Sequence, residues 1–296
     1  MTNFPGVSGI DELNAAEVTL EELLRLQERH QSGLMLNPFE AINLVCRHPF
    51  EKELGRWVTA DQDMSDVKEQ IRAIQASQTR EPTLITGPTG TGKELLARCL
   101  TIPGQPFVPQ NCGRGSLPPE LAASIFFGYV KGAFTGANMD RRGLLVEAGK
   151  GIIFLDEIGQ MTLDVQGIFL RAIQEGEIRP LGSLATIKIE CQFIAATNMD
   201  LKSRVEADLF LPDLYSRLRT IELNITGLKE RPGDILLIAN AYDWPHEIPD
   251  FMLEEIYVEN VRAIQRYIKR MKIFGYYNKA HKMLLSKQDS AALLEE

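Results

Sequence analysis

The run Gly87-Pro88-Thr89-Gly90-Thr91-Gly92-Lys93 constrains the fold more than any other stretch of this chain. It follows the apolar segment Thr83-Leu84-Ile85-Thr86 and leads into Glu94-Leu95-Leu96-Ala97-Arg98, which has helical character. Strand, glycine loop, lysine and helix in that order form the setting of a phosphate-binding loop. Glycines let backbone N–H groups turn toward phosphate oxygens, and the helix N-terminus adds partial positive charge. Lys93 then reaches the β- and γ-phosphates. The Ser or Thr that commonly follows the lysine and holds magnesium is Glu94 here.

Such a loop requires a parallel sheet, and the chain supplies the pattern for one. From about 53 to 228, short β-rich runs (83–86, 152–155, 191–195, 220–225) alternate with helical stretches, which predicts an α/β fold with a helix-flanked parallel sheet. The run Gly151-Ile152-Ile153-Phe154-Leu155-Asp156-Glu157 reads as a buried strand ending in two carboxylates at the ligand crevice. Asp156 is then the group to hold Mg2+, through water, and Glu157 the group to orient or deprotonate an attacking water. A third strand, Phe193-Ile194-Ala195-Ala196-Thr197, ends in Asn198. That residue would sense the γ-phosphate or fix the water, although an Asn at a strand end is also ordinary turn chemistry.

Flanking this region, 1–52 forms a short N-terminal segment with helices expected at Leu20–Leu26 and after Asn37-Pro38. Residues 229–274 read as a small helical lid, with helices at Asp234–Tyr242 and Asn260–Met271, and 275–296 as a basic and polar tail. No apolar run approaches the roughly 18 residues of a membrane helix, and the first basic residue is Arg25, unlike a secretory leader. Cys46, Cys99, Cys112 and Cys191 form no C-x-x-C pair, so a cytoplasmic protein without disulfides or zinc is expected. The net charge of −8 argues against nucleic-acid binding by bulk electrostatics.

A further run carries a family. Phe127-Gly128-Tyr129-Val130-Lys131-Gly132-Ala133-Phe134-Thr135-Gly136-Ala137 resembles the signature of the sigma-54 activators, the bacterial enhancer-binding AAA+ ATPases. Gly92-Lys93-Glu94, Asn111-Cys112, Leu155-Asp156-Glu157-Ile158-Gly159, Gln174-Glu175-Gly176-Glu177, Ala195-Ala196-Thr197-Asn198, Asp213-Leu214-Tyr215-Ser216-Arg217-Leu218 and Leu228-Lys229-Glu230-Arg231 match it as well. The resemblance makes Glu94 the family's usual residue. It implies an ATP-hydrolysing AAA+ ring, commonly a hexamer, that remodels RNA polymerase containing sigma-54. It also implies that Arg217 is an arginine finger acting on the neighbouring subunit, that Asn111 pairs with Glu157, and that the turn Gly132, Ala133, Phe134, Thr135, Gly136 and Ala137 engages sigma-54.

The chain departs from the family at several points. Leu211 stands where a second arginine is usual, and the lid is short. The sensor arginine is Arg262 in Asn260-Val261-Arg262, although Tyr242-Asp243-Trp244-Pro245 resembles a displaced start of the same motif, and Arg262 also reads as an ordinary polar-face arginine. No receiver domain and no helix-turn-helix is evident, so sequence-specific DNA binding is not expected. Two other readings stay open: a remodeller of another client protein, and a nucleotide-dependent binding protein with weak hydrolysis.

Overall fold

The structure is a computed structural model and describes residues 57–102, 104–242, 248 and 250–274. Helix α1 (Gln62–Ser77) precedes strand β1 (Thr83–Thr86), helix α2 (Lys93–Cys99) and strand β2 (Phe107–Asn111). Helix α3 (Pro119–Phe127) runs into a hairpin, β3 (Gly128–Tyr129) and β4 (Arg141–Arg142), then α4 (Leu144–Glu147) and strand β5 (Ile152–Asp156). A 3-10 turn (Ile158–Gln160), α5 (Leu163–Glu175), a second hairpin of β6 (Glu177–Ile178) and β7 (Ile187–Lys188), and strand β8 (Gln192–Thr197) follow. Helices α6 (Leu201–Glu206) and α7 (Pro212–Leu218) lead to β9 (Ile221–Asn224), and α8 (Gly233–Ala241), α9 (Asp250–Glu259) and α10 (Val261–Phe274) close the described chain.

The five longer strands pair in parallel in the order β2-β5-β8-β1-β9. Successive side chains of a strand point to opposite faces, so β1, β5 and β8 in the middle of the sheet feed two cores. Ile153 and Leu155 of β5, with Phe193 and Ala195 of β8, join Phe126, Phe169, Leu214 and Leu218 from α3, α5 and α7. Ile152, Phe154, Ile194 and Ala196 join Met64, Val67, Ile71, Leu96 and Ala97 from α1 and α2 on the other face. This two-sided burial explains why β8 is buried at every position and β5 at all but its terminal Asp156. Phe126 and Phe169 meet edge to face at 4.4 Å, and truncating either to alanine would cost about 3–5 kcal/mol.

The strands expected at 83–86, 152–155, 191–195 and 220–225 correspond to β1, β5, β8 and β9, with ends differing by up to two residues. Strand β2 is additional. It lies at the sheet edge, is only half buried and carries Pro109 at its centre, a residue tolerated in edge strands because it has no N–H to donate.

The last three helices form a third cluster around Leu228, Ile235, Ile238, Met252, Ile256, Ile264, Tyr267 and Ile268. Helices α8 and α10 correspond to the two expected in this region, and α9 is additional. The segment before α1 stitches this cluster to the sheet. Trp57 is buried in the second core, whereas Val58 packs on the lid cluster. Thr59 Oγ1 and the Ala60 N–H both donate to the Asp234 carboxylate at 2.6 Å, which also accepts from Arg231 at 2.8 Å, both partners being 1% exposed.

The helices expected at Leu20–Leu26 and after Asn37-Pro38, the tail 275–296, Cys46, and Asp243-Trp244-Pro245 lie outside the described residues. Cys99, Cys112 and Cys191 are free and buried. Among the described residues no helix is long and apolar enough to cross a membrane.

Candidate nucleotide site and family

Strands β1, β5 and β8 are neighbours running the same way, so the loop after Thr86, the pair Asp156-Glu157 and Asn198 all emerge at one edge of the sheet. The glycine loop is tightly enclosed there. Gly87 has φ +150°, and a Cβ on it would lie 2.3 Å from the Ile225 carbonyl oxygen. Gly90 has φ +79°, and its Cβ would lie 2.1 Å from the Glu259 carbonyl oxygen at the junction of α9 and α10. Only glycine fits both conditions. Thr91 is buried and its hydroxyl donates to the Pro88 carbonyl at 2.9 Å.

Lys93 Nζ donates to the carbonyls of Gly87 and Pro88 at 2.8 and 2.9 Å. Burial pulls its ammonium below the usual lysine range; Asp156 and Glu157 oppose that shift, and Arg262 adds to it. Asp156, Glu157 and Arg262 are thus each close enough to act on Lys93. Arg262 lies against the loop through its Cβ, 3.2 Å from where a Gly90 Cβ would be. Glu94 instead turns along the helix surface, where its Oε1 accepts from Arg98 Nε and Nη2 at 3.0 and 2.7 Å.

The Asp156 carboxylate accepts the Glu157 N–H at 2.9 Å. Glu157 has φ +56°, and its Oε2 accepts from Gln160 Nε2 at 2.7 Å. Asn111 is the register partner of Asp156, and its Oδ1 accepts the Gly113 N–H at 2.7 Å. Asn111 and Glu157 meet at Gly113, where a Cβ would lie 2.8 Å from Asn111 Oδ1 and 2.5 Å from Glu157 Oε2. Asn198 Nδ2 donates to Thr89 Oγ1 at 2.8 Å, so it touches the glycine loop directly.

Asn260, which the motif reading includes beside Arg262 without giving it a role, is also a site residue. It is 1% exposed at φ +56°. Its Nδ2 donates to the Thr89 carbonyl at 3.0 Å and its Oδ1 accepts the Leu228 N–H at 2.7 Å. The lid is therefore pinned to the phosphate loop and to the chain leaving the sheet. A buried, left-handed Asn between two helices is recognisable only once both helix ends are known.

Arg217 sits elsewhere. It is exposed in the last turn of α7 and lines a recess with Arg80, Pro82, Lys188, Glu190 and Thr220. Pro82 precedes β1, so this recess is at the opposite end of the sheet from the glycine loop. Leu211 packs against the first core and donates its N–H to Gln166 Oε1 at 2.8 Å.

The turn 132–137 projects from the β3–β4 hairpin. It is closed by Gly132 N–H to Ala137 O at 2.9 Å and Ala137 N–H to Phe134 O at 3.0 Å. Phe134 is 47% exposed and meets Tyr129 edge to face at 4.9 Å; Thr135 is exposed and Ala137 buried. The second hairpin supports the turn through Val130 N–H to Leu181 O at 3.0 Å and Leu181 N–H to Gly128 O at 2.9 Å.

A parallel sheet in this order, with a glycine loop after its β1 and a helical lid over that loop, defines an AAA+ fold. NtrX from Brucella abortus, solved in complex with ATP, is similar in fold, with a TM-score of 0.64 and 23% identity over 86% of this chain and 59% of that one. Residues 57–224 match the Sigma-54 interaction domain, and the chain belongs to that family. The hydrogenase transcriptional regulatory protein HoxA of Bradyrhizobium diazoefficiens is 44% identical over 209 residues, which is 65% of this chain and 43% of HoxA. The response regulator protein PilR of Pseudomonas aeruginosa is 39% identical over 211 residues, 69% of this chain and 46% of PilR. The matched region is thus less than half the length of either relative.

Proposed function

We propose that the chain hydrolyses ATP as a subunit of a homo-oligomeric ring, commonly a hexamer in this family, and uses the work to remodel sigma-54-containing RNA polymerase and activate transcription. The observation that carries the hydrolytic reading is the shared edge of β1, β5 and β8, where Lys93, Asp156, Glu157 and Asn198 gather. The glycine loop wraps the phosphates, Lys93 bonds the β- and γ-phosphate oxygens, and Arg262 adds charge from the lid. Water attacks the γ-phosphorus as Glu157 accepts its proton, and ADP and phosphate leave. Asn198 and Thr89 hold the γ-phosphate side of the loop.

No group of three or more His, Cys, Asp or Glu converges among the described residues. Asp156, half-buried at the end of β5 beside Glu157, fits Mg2+, which is held by one or two carboxylates, keeps waters and takes its remaining oxygens from phosphates. Bound there, the ion would neutralise charge on the phosphates.

Arg217 lies too far round the sheet to serve its own loop, which supports a role toward a neighbour's γ-phosphate. The exposed, glycine-flanked Phe134 and Thr135 and the family match support sigma-54 as the client. The test is ATPase rate against protein concentration, with and without sigma-54, combined with capture of sigma-54 in ADP–aluminium fluoride. A rate per subunit independent of concentration would sink the shared site, and capture that ignores nucleotide would sink the client.

A further inference from the structure

Glu157 is held by a neighbour that no motif singles out. Its backbone, at φ +56° and ψ +38°, is in a left-handed conformation that costs a non-glycine residue about 1 kcal/mol or more. It opens the 3-10 turn Ile158–Gln160, and that turn brings Gln160 back onto Glu157. Gln160 Nε2 donates to Glu157 Oε2 at 2.7 Å, while Gln160 Oε1 accepts the Arg114 N–H at 3.0 Å. The carboxamide thus spans from the end of β5 to the loop after β2. Gly113 closes the other side of Glu157 Oε2, since a Cβ there would lie 2.5 Å from it. Asn111 Oδ1 accepts the Gly113 N–H, and among the described residues no hydrogen bond runs from Asn111 Nδ2 to Glu157. Among the described residues no hydrogen bond falls on Glu157 Oε1.

We propose that Gln160 is a positioning residue for the hydrolytic base. It anchors one carboxylate oxygen of Glu157 so that the other is free to take the proton of the attacking water, and it ties that orientation to the 112–117 loop. The inference rests on the ATPase reading above. The residue type matters: a carboxamide donates to Glu157 and accepts from Arg114 at the same time, whereas a carboxylate at 160 would face Glu157 with like charge and no donor.

The test compares Gln160→Met, of similar length but without the donor, with the parent chain. Without its anchor the base should lose about tenfold in kcat, the size of one hydrogen bond to a charged group. KM for ATP, the Kd of a fluorescent ATP analogue and the melting temperature should stay within about twofold or a few degrees of the parent. Gln160→Glu should lose at least as much kcat. Gln160→Met placed on Glu157→Gln should cost nothing more, because no base remains to be positioned. Parent-level kcat in Gln160→Met, a KM that rises as kcat falls, or a further loss in the double variant overturns the proposal.

The Gln160 side-chain amide resonances give a readout that does not depend on turnover, and they should move in Glu157→Ala. If the parent binds nucleotide without hydrolysing it, the ATPase reading fails and takes with it the chemistry assigned to Gln160. Resonances that still move then keep the contact, and unmoved resonances remove it too.

Discussion

In the loop 87–92, a side chain at Gly87 would meet the Ile225 carbonyl at 2.3 Å and one at Gly90 the Glu259 carbonyl at 2.1 Å; in the turn 132–137, side chains at Gly132 and Gly136 would meet nothing within 4 Å. All four glycines have positive φ, yet the reasons for keeping them differ. At 87 and 90 the surroundings exclude a side chain, so the backbone is held from several directions at once. At 132 and 136 only the backbone angle asks for glycine, and the turn is free to change shape. A rigid cradle and a movable tip are built from the same residue, and the neighbours decide which is which.

The largest expected effect is at the cradle. Lys93→Ala should abolish nucleotide binding in a fluorescent-analogue titration, because it removes the ammonium that bonds the loop carbonyls; retained binding would mean the cradle is not the phosphate site. Next comes Gly90→Ala, which meets both an unfavourable φ and a backbone atom that cannot step aside. It should lower stability toward urea by about 2–4 kcal/mol and weaken nucleotide binding as the lid is pushed off the loop. Gly132→Ala meets only the backbone term, about 1–2 kcal/mol, and should leave nucleotide binding intact. Equal losses at 90 and 132 would erase the contrast. Phe134→Ala and Thr135→Ala should leave basal ATPase unchanged while losing nucleotide-dependent capture of sigma-54.

The smallest effect belongs to the lid surface. Arg266 bonds Glu259 and Glu255, and it holds the Glu259 carboxyl below the ordinary carboxylate range. A depressed acid stabilises the fold above its unfolded pKa, and the benefit fades as pH falls through the folded value. Arg266→Gln should therefore melt slightly below the parent at pH 7 and converge with it in acid, once pH has fallen through the lowered Glu259 value. A gap that persists in acid would point to lost packing instead.

The parts of the site that lie at the ends of apolar strands are the parts visible in the sequence. The glycine loop that carries Lys93, the Asp156-Glu157 pair and Asn198 each come at the end of a run of buried residues whose face and length announce a strand, so their convergence follows from parallel order alone. Gln160 and Asn260 are not visible that way. Each acts through a left-handed residue at a turn (Glu157 in one case, itself in the other), and its partners are set by tertiary approach rather than by spacing. Strand β2 escapes for a related reason: with Pro109 at its centre and one face open, it has no alternation to read. The chain also resembles its family at Asn111-Cys112, but sequence spacing does not tell whether Asn111 or Gln160 bonds Glu157.

Four consecutive residues, Trp57 to Ala60, run along the seam between sheet and lid, with Trp57 sunk in one side, Val58 in the other, and the next two clipped to Asp234. A pull on the chain from residue 56 would load that seam before any strand felt it. An attachment at this end would work as a lever on the angle between the halves, and so on how closely the Asn260 pin seats on the phosphate loop. The same pull at Leu184, 93% exposed at the tip of the second hairpin, would only drag a flap.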